Sequence, residues 1–409
     1  MERKKGHSTL DTRHSIKIII SGGGTGGHIY PALSIGNELL RLEENLEVIF
    51  IGGKDRLEAQ IVPRHNFPFI PISVAGFPRR LTWRWLQVIP KVLLGFVSSL
   101  NLLRRLKPKV VVGTGGYVCG PVLLAGALLR IPTLIQEQNA VPGLTNRILG
   151  RWVDEIHVSF VESTKYFKQG KRKASERMAP RVKVTGNPIR REIEKTSKAT
   201  ITNEIFAKFG LKSSPKTVFV MGGSQGAHSI NVAVIEALNK LESSEEISEL
   251  QIIHQTGQDD YEMVSNVIAN KAKQSAKSKI NHFVQPFFLN IPEIYALTDL
   301  MICRAGAMTL AEITVCGLPA ILIPYPHSTG DHQMINAQAM KKNGAAILIN
   351  DEELTGEILA KTLLDLLEDN KTLAKMAAAS KKLGKPDAAE KIAQAVLKLI
   401  YGDRPMGSV

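Results

Sequence analysis

Only three cysteines occur in 409 residues, Cys119, Cys303 and Cys316, and no two form a C-x-x-C pair. That spacing argues against a structural zinc site or a disulfide framework. Two of the three lie in apolar runs, so reduced, buried thiols of a cytosolic protein are expected. A signal-peptide core is also missing, because the polar extension of residues 1–15 is followed only by Ile18, Ile19 and Ile20 before glycines begin. The uncharged stretch 110–129 carries five glycines and Pro121, and reads as strand, loop and helix rather than a membrane span. Asp-x-Asp triples are absent as well. Acid is lacking where base is dense: residues 59–136 contain no Asp or Glu, yet hold Arg64, Arg79, Arg80, Arg84, Lys91, Arg104, Arg105, Lys107, Lys109 and Arg130. Residues 1–200 carry 32 basic against 15 acidic side chains, whereas residues 201–409 carry 20 against 23. The first half therefore wants an anionic partner.

What is present begins with "SGGGTGGHIYPAL" at residues 21–33, a glycine loop between an apolar strand and a helical pattern. Such a loop brings backbone N–H groups and the positive end of a helix to an anion, phosphate by default. Gly22, Gly24 and Gly27 fit G-x-G-x-x-G, but the next strand ends in Gly52 and Gly53 where a dinucleotide site needs an acid. A triphosphate loop is weaker still, since His28 stands where Lys is required. The loop recurs: Gly222-Gly223-Ser224-Gln225-Gly226-Ala227-His228 aligns with residues 22–28, again after an apolar strand. Strand-like runs then alternate with helical patterns in both halves ("LEVIFI", "KVVVG", "IPTLIQ" and "EIHVS", then "LQIIHQ", "LMICR", "PAILIP" and "AAILI"). This predicts an α/β chain of two Rossmann-like domains with parallel sheets, 16–188 and 189–385, whose carboxyl strand ends share a cleft. The junction falls at "VTGNPIRREIEK". A final helix over 386–401 is set apart, free by its pattern to pack on either domain and assigned to the N-terminal one.

With these features in hand, the chain resembles the MurG glycosyltransferases of GT-B architecture. The resemblance rests on "GGTGGHIYPAL", "GTGGYVCGP", "EQNAVPGLTN", "GNPIR", "GGSQGA", "CRAGAMTLAE" and "DHQMINA", in family order, and covers almost everything after residue 15. It implies an inverting hexosyltransferase that moves N-acetylglucosamine from UDP-N-acetylglucosamine to the muramyl 4-hydroxyl of lipid I, forming lipid II for peptidoglycan. It also implies a peripheral protein on the cytoplasmic side of the plasma membrane, with no cofactor and no metal. Another GT-B enzyme on UDP-sugars, such as a glycolipid synthase or epimerase, and a non-catalytic basic membrane-binding protein are the alternatives.

The resemblance assigns donor binding to Thr25, Asn139, Arg190, Ser224, Phe288, Ala307, Met308, Thr309, Glu312, Gln333 and Asn336. Helix N-termini, hydroxyls and Arg190 would carry the charge of the leaving diphosphate. Glu312 would accept from the ribose hydroxyls, although Thr309-x-x-Glu312 also reads as a capping box. The Phe288 backbone would read uracil; before the resemblance is considered, Phe287 and Phe288 fit a core better than a base site. Gln333 and Asn336 would meet sugar hydroxyls. His332 reads as part of the helix cap after Asp331, and a metal reading of His327, Asp331 and His332 fails on ligand spacing.

His28 and Glu137 are the catalytic candidates, drawn from loops that would meet over the cleft with Asn139. An imidazole titrates near neutral pH, whereas a carboxylate needs burial to match. His28 equally suits donation to the acceptor's diphosphate, held by Gly26, Gly27, Gly115, Gly116, Tyr117 and, by resemblance, Asn146. Gln136 stands where the family often has His. For the anionic phospholipid surface, residues 76–107 interleave apolar and basic side chains, with Arg80, Trp83, Arg84, Trp85 and Ile89 as the expected contacts. Leu93, Phe96, Val97 and Leu100 at helical spacing also fit a core face. Nucleic acid is the competing anion, but stacking aromatics are few and no nucleic-acid fold signature occurs.

Overall fold

The computed structural model describes residues 15–74, 85–167, 180–196, 202–245, 249–274 and 278–402; side chains of 85–89, 272–274 and Thr329 are outside the description. The chain builds two parallel sheets. The first contains β1 (Ile16–Gly22), β2 (Leu46–Gly53), β3 (Phe69–Ile72), β4 (Val110–Gly115), β5 (Thr133–Glu137), β6 (Glu155–Val158) and β7 (Arg181–Val184), in the order β3-β2-β1-β4-β5-β6-β7. The second contains β8 (Lys216–Met221), β9 (Leu250–Gln255), β10 (Ile280–Gln285), β11 (Leu300–Cys303), β12 (Ala320–Leu322) and β13 (Ala346–Leu348), ordered β10-β9-β8-β11-β12-β13. Both orders reverse beside the first strand, which opens a crevice at the carboxyl ends of β1 and β8. The sequence pattern did not show β3; its Pro71 lies on an edge strand, where a missing N–H costs no interior ladder bond.

Each central strand is apolar on both faces because helices cover both. In the first sheet, Ile18, Ile20, Val48 and Val112 pack under α1 (Gly26–Leu42), while Ile19, Ile49, Ile51 and Val111 pack under α3 (Trp85–Leu106), α4 (Cys119–Leu128) and α5 (Leu144–Leu149). In the second, Val218, Val220 and Ile252 face α8 (His228–Ser243) and α13 (Gly356–Glu368), and Phe219, Met221 and Met301 face α10 (Ile291–Leu297) and α11 (Ala307–Cys316). The last helix, Ala388–Tyr401, crosses back: Ile392, Ala393 and Val396 join Ile29 and Leu33 in the core of the N-terminal domain. The three thiols are free, and burial pushes each up to about 12.

Candidate functional site

The first glycine loop answers its own question in an unforeseen way. The buried Glu58 carboxylate accepts from Gly24 N and from Gly53 N, each at 2.9 Å, so one anion held by this loop belongs to the protein. A side chain at Gly23 would strike that carboxylate, and one at Gly52 would meet Glu58 Cγ at 2.6 Å, which explains glycine where a dinucleotide site would place an acid. The loop locks onto the next crossover through Gly23 N to Gly115 O at 3.3 Å. Gly116, at φ +80°, lies so close to the Gly23 carbonyl that no Cβ fits. The loop ends at the start of α1. Thr25, its N-cap, is exposed, its carbonyl accepts from His28 N and Ile29 N, and the first amides of the helix, at Gly26 and Gly27, have no intrahelical acceptor.

His28 turns inward. Its Nδ1 lies 3.0 Å from Thr114 O and 2.9 Å from Gln138 Oε1. The duplicated position behaves differently: His228 is exposed and its Nδ1 pairs with Asp260 at 2.9 Å. Beside His28, the Tyr117 ring lies under Arg56, and its hydroxyl is buried with no partner among the described residues.

Glu137 is 1% exposed and both its oxygens are employed. Oε1 accepts from Asn139 N at 2.9 Å, and Oε2 from Asn146 Nδ2 at 2.8 Å and Gly143 N at 3.2 Å. Glu137 thus braces the 138–146 loop. Asn146, 2% exposed, commits one N–H of its amide to Glu137.

Across the cleft, α11 starts at Ala307 with Gly306 as N-cap, and no side chain caps it. Thr309 therefore sits inside the first turn, and the capping box does not form. Glu312 instead accepts from Tyr295 Oη at 2.9 Å and faces Arg190 Nη2 at 3.6 Å. Burial pushes the Glu312 carboxyl above its ordinary range, and Arg190 and the Tyr295 bond pull it back. Arg190 also lies over the Tyr30 ring of α1, which joins the two domains at this point. Ser224 is exposed at the tip of the second loop. Gln255, at the buried end of β9, donates to Gly223 O and accepts from Phe288 N, both at 3.0 Å. The Phe288 N–H is thereby taken, and its ring packs against Phe209, Phe219 and Phe283. No motif marked Gln255, which is one of three polar residues in β9.

Gln333 Oε1 accepts from Tyr325 N at 3.0 Å, shaping the loop before α12 (His332–Lys342) and leaving its NH2 to donate. Asp331, the N-cap, is left-handed at φ +52° and makes no side-chain cap bond, so the expected His332 cap is not built around it. Asn336 is fully buried, accepting from Ala140 N at 3.2 Å and donating to Ala305 O at 3.2 Å, so its amide bridges the two domains. Among the described residues no group of three His, Cys, Asp or Glu side chains is arranged to hold a metal.

Two glycine-loop sheets whose helices α1 and α11 pack together narrow the possibilities, and comparison with known proteins decides the family. Residues 18–158 match the glycosyltransferase family 28 N-terminal domain and residues 217–392 its C-terminal domain. A protein of Halothermothrix orenii named UDP-N-acetylglucosamine–N-acetylmuramyl-(pentapeptide) pyrophosphoryl-undecaprenol N-acetylglucosamine transferase is 45% identical over 91% of this chain and 95% of its own. This chain belongs to the MurG family of glycosyltransferases. The crystal structure of Acinetobacter baumannii MurG superposes with a TM-score of 0.71 at 28% identity, over 94% of this chain and 99% of that one. A UDP-N-acetylglucosamine 2-epimerase of Listeria monocytogenes, TM-score 0.67 at 16% identity over 96% and 98% of the chains, shares the fold.

Arg80, Trp83 and Arg84 lie outside the described residues, and Trp85 and Ile89 are described in backbone only, as part of α3. Further along α3 the expected core face divides. Phe96 and Leu100 pack inward, while Leu93, Leu94 and Val97 are 58%, 66% and 50% exposed, near Lys91, Arg104 and Arg105. On and just beyond α5, Leu144, Ile148 and Trp152 are exposed among Arg147 and Arg151, a patch that sequence reasoning missed. No helix among the described residues is long and apolar enough to cross a membrane.

Proposed function

We propose that this chain transfers N-acetylglucosamine from UDP-N-acetylglucosamine to the muramyl 4-hydroxyl of undecaprenyl-diphosphate-linked lipid I, giving lipid II. The observation that carries this reading is the approach of the starts of α1, with His28, and α11, with Glu312: α11 packs against α1, and Arg190 faces Glu312 while lying over the Tyr30 ring of α1. Each helix start offers unpaired amides to one anion. The name of the relatives supplies the identity of both anions.

In the inverting step the acceptor oxygen bonds to the sugar's anomeric carbon while the bond from that carbon to UDP breaks. The hydroxyl proton passes to His28, and UDP leaves with the electron pair. Charge growing on the diphosphate is met by the first amides of α11, the hydroxyls of Ser224 and Thr309, and Arg190, a donor set that needs no divalent ion. In the donor complex Glu312 keeps its bond from Tyr295 and turns its other oxygen to the ribose hydroxyls.

Incubation with labelled UDP-N-acetylglucosamine and a short-chain lipid I analogue should yield labelled disaccharide, undiminished by a metal chelator. Glu312→Ala should weaken UDP binding by about a hundredfold, the scale of losing charge-assisted hydrogen bonds. A well-folded enzyme that forms no disaccharide, or that releases only an isomerised free sugar, defeats the reading.

The apolar and basic surface of α3 and α5 supports peripheral attachment to an anionic leaflet, the cytoplasmic face of the plasma membrane. Leu94→Glu combined with Val97→Glu should lower co-sedimentation with phosphatidylglycerol vesicles by about tenfold or more, since each loses roughly 1–2 kcal/mol of apolar burial. UDP affinity should stay constant; an equal loss there would show that the surface is not separable from the donor site.

A further inference from the structure

A chain of buried amides runs from His28 to the donor domain, and its hydrogen bonds can be oriented in only one way. Asn187, in the linker between domains, places Nδ2 3.1 Å from Ala307 O and 3.3 Å from Gln138 O. Both are carbonyls, so this is the NH2 end, and Oδ1 is the end that accepts from Gln136 Nε2 at 3.1 Å. Gln136 therefore presents Oε1 to Gln138 Nε2. Gln138 Nε2 also donates to Thr114 O at 2.6 Å, which leaves Oε1 as the atom 2.9 Å from His28 Nδ1. An oxygen without a proton requires the proton on Nδ1, and Thr114 O makes the same demand from 3.0 Å. The lone pair of neutral His28 is then on Nε2. Gln136, Gln138 and Asn187 are 0%, 1% and 4% exposed, so water does not compete for these bonds.

We infer that Gln138 is a positioning residue for the transfer: with Gln136 and Asn187 it forms a relay that fixes the tautomer and aim of His28 and ties them to the first residue of α11. Deepening the reading above, this rests on His28 as the proton acceptor. The amide at 136, where the family often has His, serves here as the middle link. Because Ala307 O belongs to the donor domain and Thr114 O to the acceptor domain, the relay reaches full length only when both domains hold the relative position seen here. His28 is thereby aimed when the helix that receives the diphosphate is in place.

Gln138→Met removes one of the two acceptors for Nδ1–H, the one that belongs to the relay, at nearly constant volume, and leaves Thr114 O. It should lower kcat by about tenfold, with the UDP dissociation constant unchanged within about twofold. Asn187→Ala should lower kcat by a smaller factor, and the double variant should be no slower than Gln138→Met alone, because both cut one chain. Effects that multiply, or an unchanged kcat in Gln138→Met, overturn the relay. An independent readout uses the unaltered enzyme: 15N NMR, with the His28 signal assigned by its loss in His28→Ala, should show protonated Nδ1 and bare Nε2. The opposite tautomer overturns the proposal even if the variants misfold. Full activity in His28→Ala would instead remove the base reading, while the NMR result would still judge the relay.

Discussion

His28→Ala should lower kcat by about a hundredfold or more while leaving the UDP dissociation constant within about twofold of its value, as expected for loss of a general base that does not touch the donor. The ring comes from the third residue of α1, in its first turn, beside amides at Gly26 and Gly27 that have no intrahelical acceptor. Its Nδ1 is committed to Thr114 O and Gln138 Oε1, so Nε2 is the nitrogen free for chemistry. The competing role, donation to the acceptor's diphosphate, makes a different forecast. In that case KM for the acceptor rises with kcat little changed, because a contact made equally in ground and transition states affects binding alone. Steady-state kinetics with the short-chain acceptor at saturating donor separates the two. Glu137→Gln serves as the contrast: its carboxylate braces Asn139, Gly143 and Asn146, so its loss should loosen the loop and act on the acceptor's KM as well as on kcat.

The second large effect is on stability in mild acid. His254 is fully buried between α8 and β10; its Nε2 donates to Asn231 Oδ1 at 2.9 Å, and its Nδ1 accepts from His282 Nε2 at 3.3 Å. The rings stack at 5.4 Å. Adding a proton would set two N–H groups against each other in a dry site. Burial holds His254 down to about 3, against the opposing pull of Asp260, and holds His282 well below its ordinary value, helped by His254 and Lys271. Both folded values lie below that of an unfolded histidine, near 6.5, so the unfolded chain binds more protons between them. Stability from this pair is complete above about pH 6.5 and is lost as pH falls toward 3. His254 alone should cost about 2 kcal/mol at pH 5 relative to pH 7.5.

His254→Gln keeps a donor for Asn231 and an acceptor for His282 without titrating at this position. It should flatten the fall in melting temperature between pH 7.5 and 5. An unchanged slope in that variant would show that the acid sensitivity arises elsewhere. Glu155 does not confound the comparison. Burial raises its carboxyl, but bonds from His157 and Lys183 and the charges of Lys183 and Arg181 prevail and hold it at about 2. Its contribution is present above the ordinary carboxylate value, near 4.3, and is lost only below that, as pH falls toward 2.

The local parts of this protein were readable as sequence. Glycines followed by an apolar period of 3.6 mark a strand, turn and helix whatever surrounds them, and the repeat of that unit at 222–228 declares two similar sheets. Contacts between distant segments were not readable. The motif that contains Glu312 was visible, but its spacing from Thr309 fitted a cap equally; what excluded the cap was a helix starting at Ala307, with Tyr295 and Arg190 brought to the carboxylate. Asn146 and Asn336 stand in motifs that resemble ligand contacts, and only the fold shows their amides bonded to Glu137, Ala140 and Ala305. Glu58 carried no signal at all, since its partners lie on separate segments, Gly24 in the first glycine loop and Gly53 at the end of β2.

By itself the sequence determined the alternation of strands and helices, the two anion-ready turns, the basic character of one half and the family, because each depends on residues close together in the chain or on their order along it. Tertiary structure alone decided which polar side chains face the cleft and which are consumed inside it. It also decided that the last helix returns to the first domain and that His28 is wired through amides to α11. A hydrogen bond depends on distance and direction in space, and residues 28, 138, 136, 187 and 307 acquire those only when both sheets are folded and set against each other.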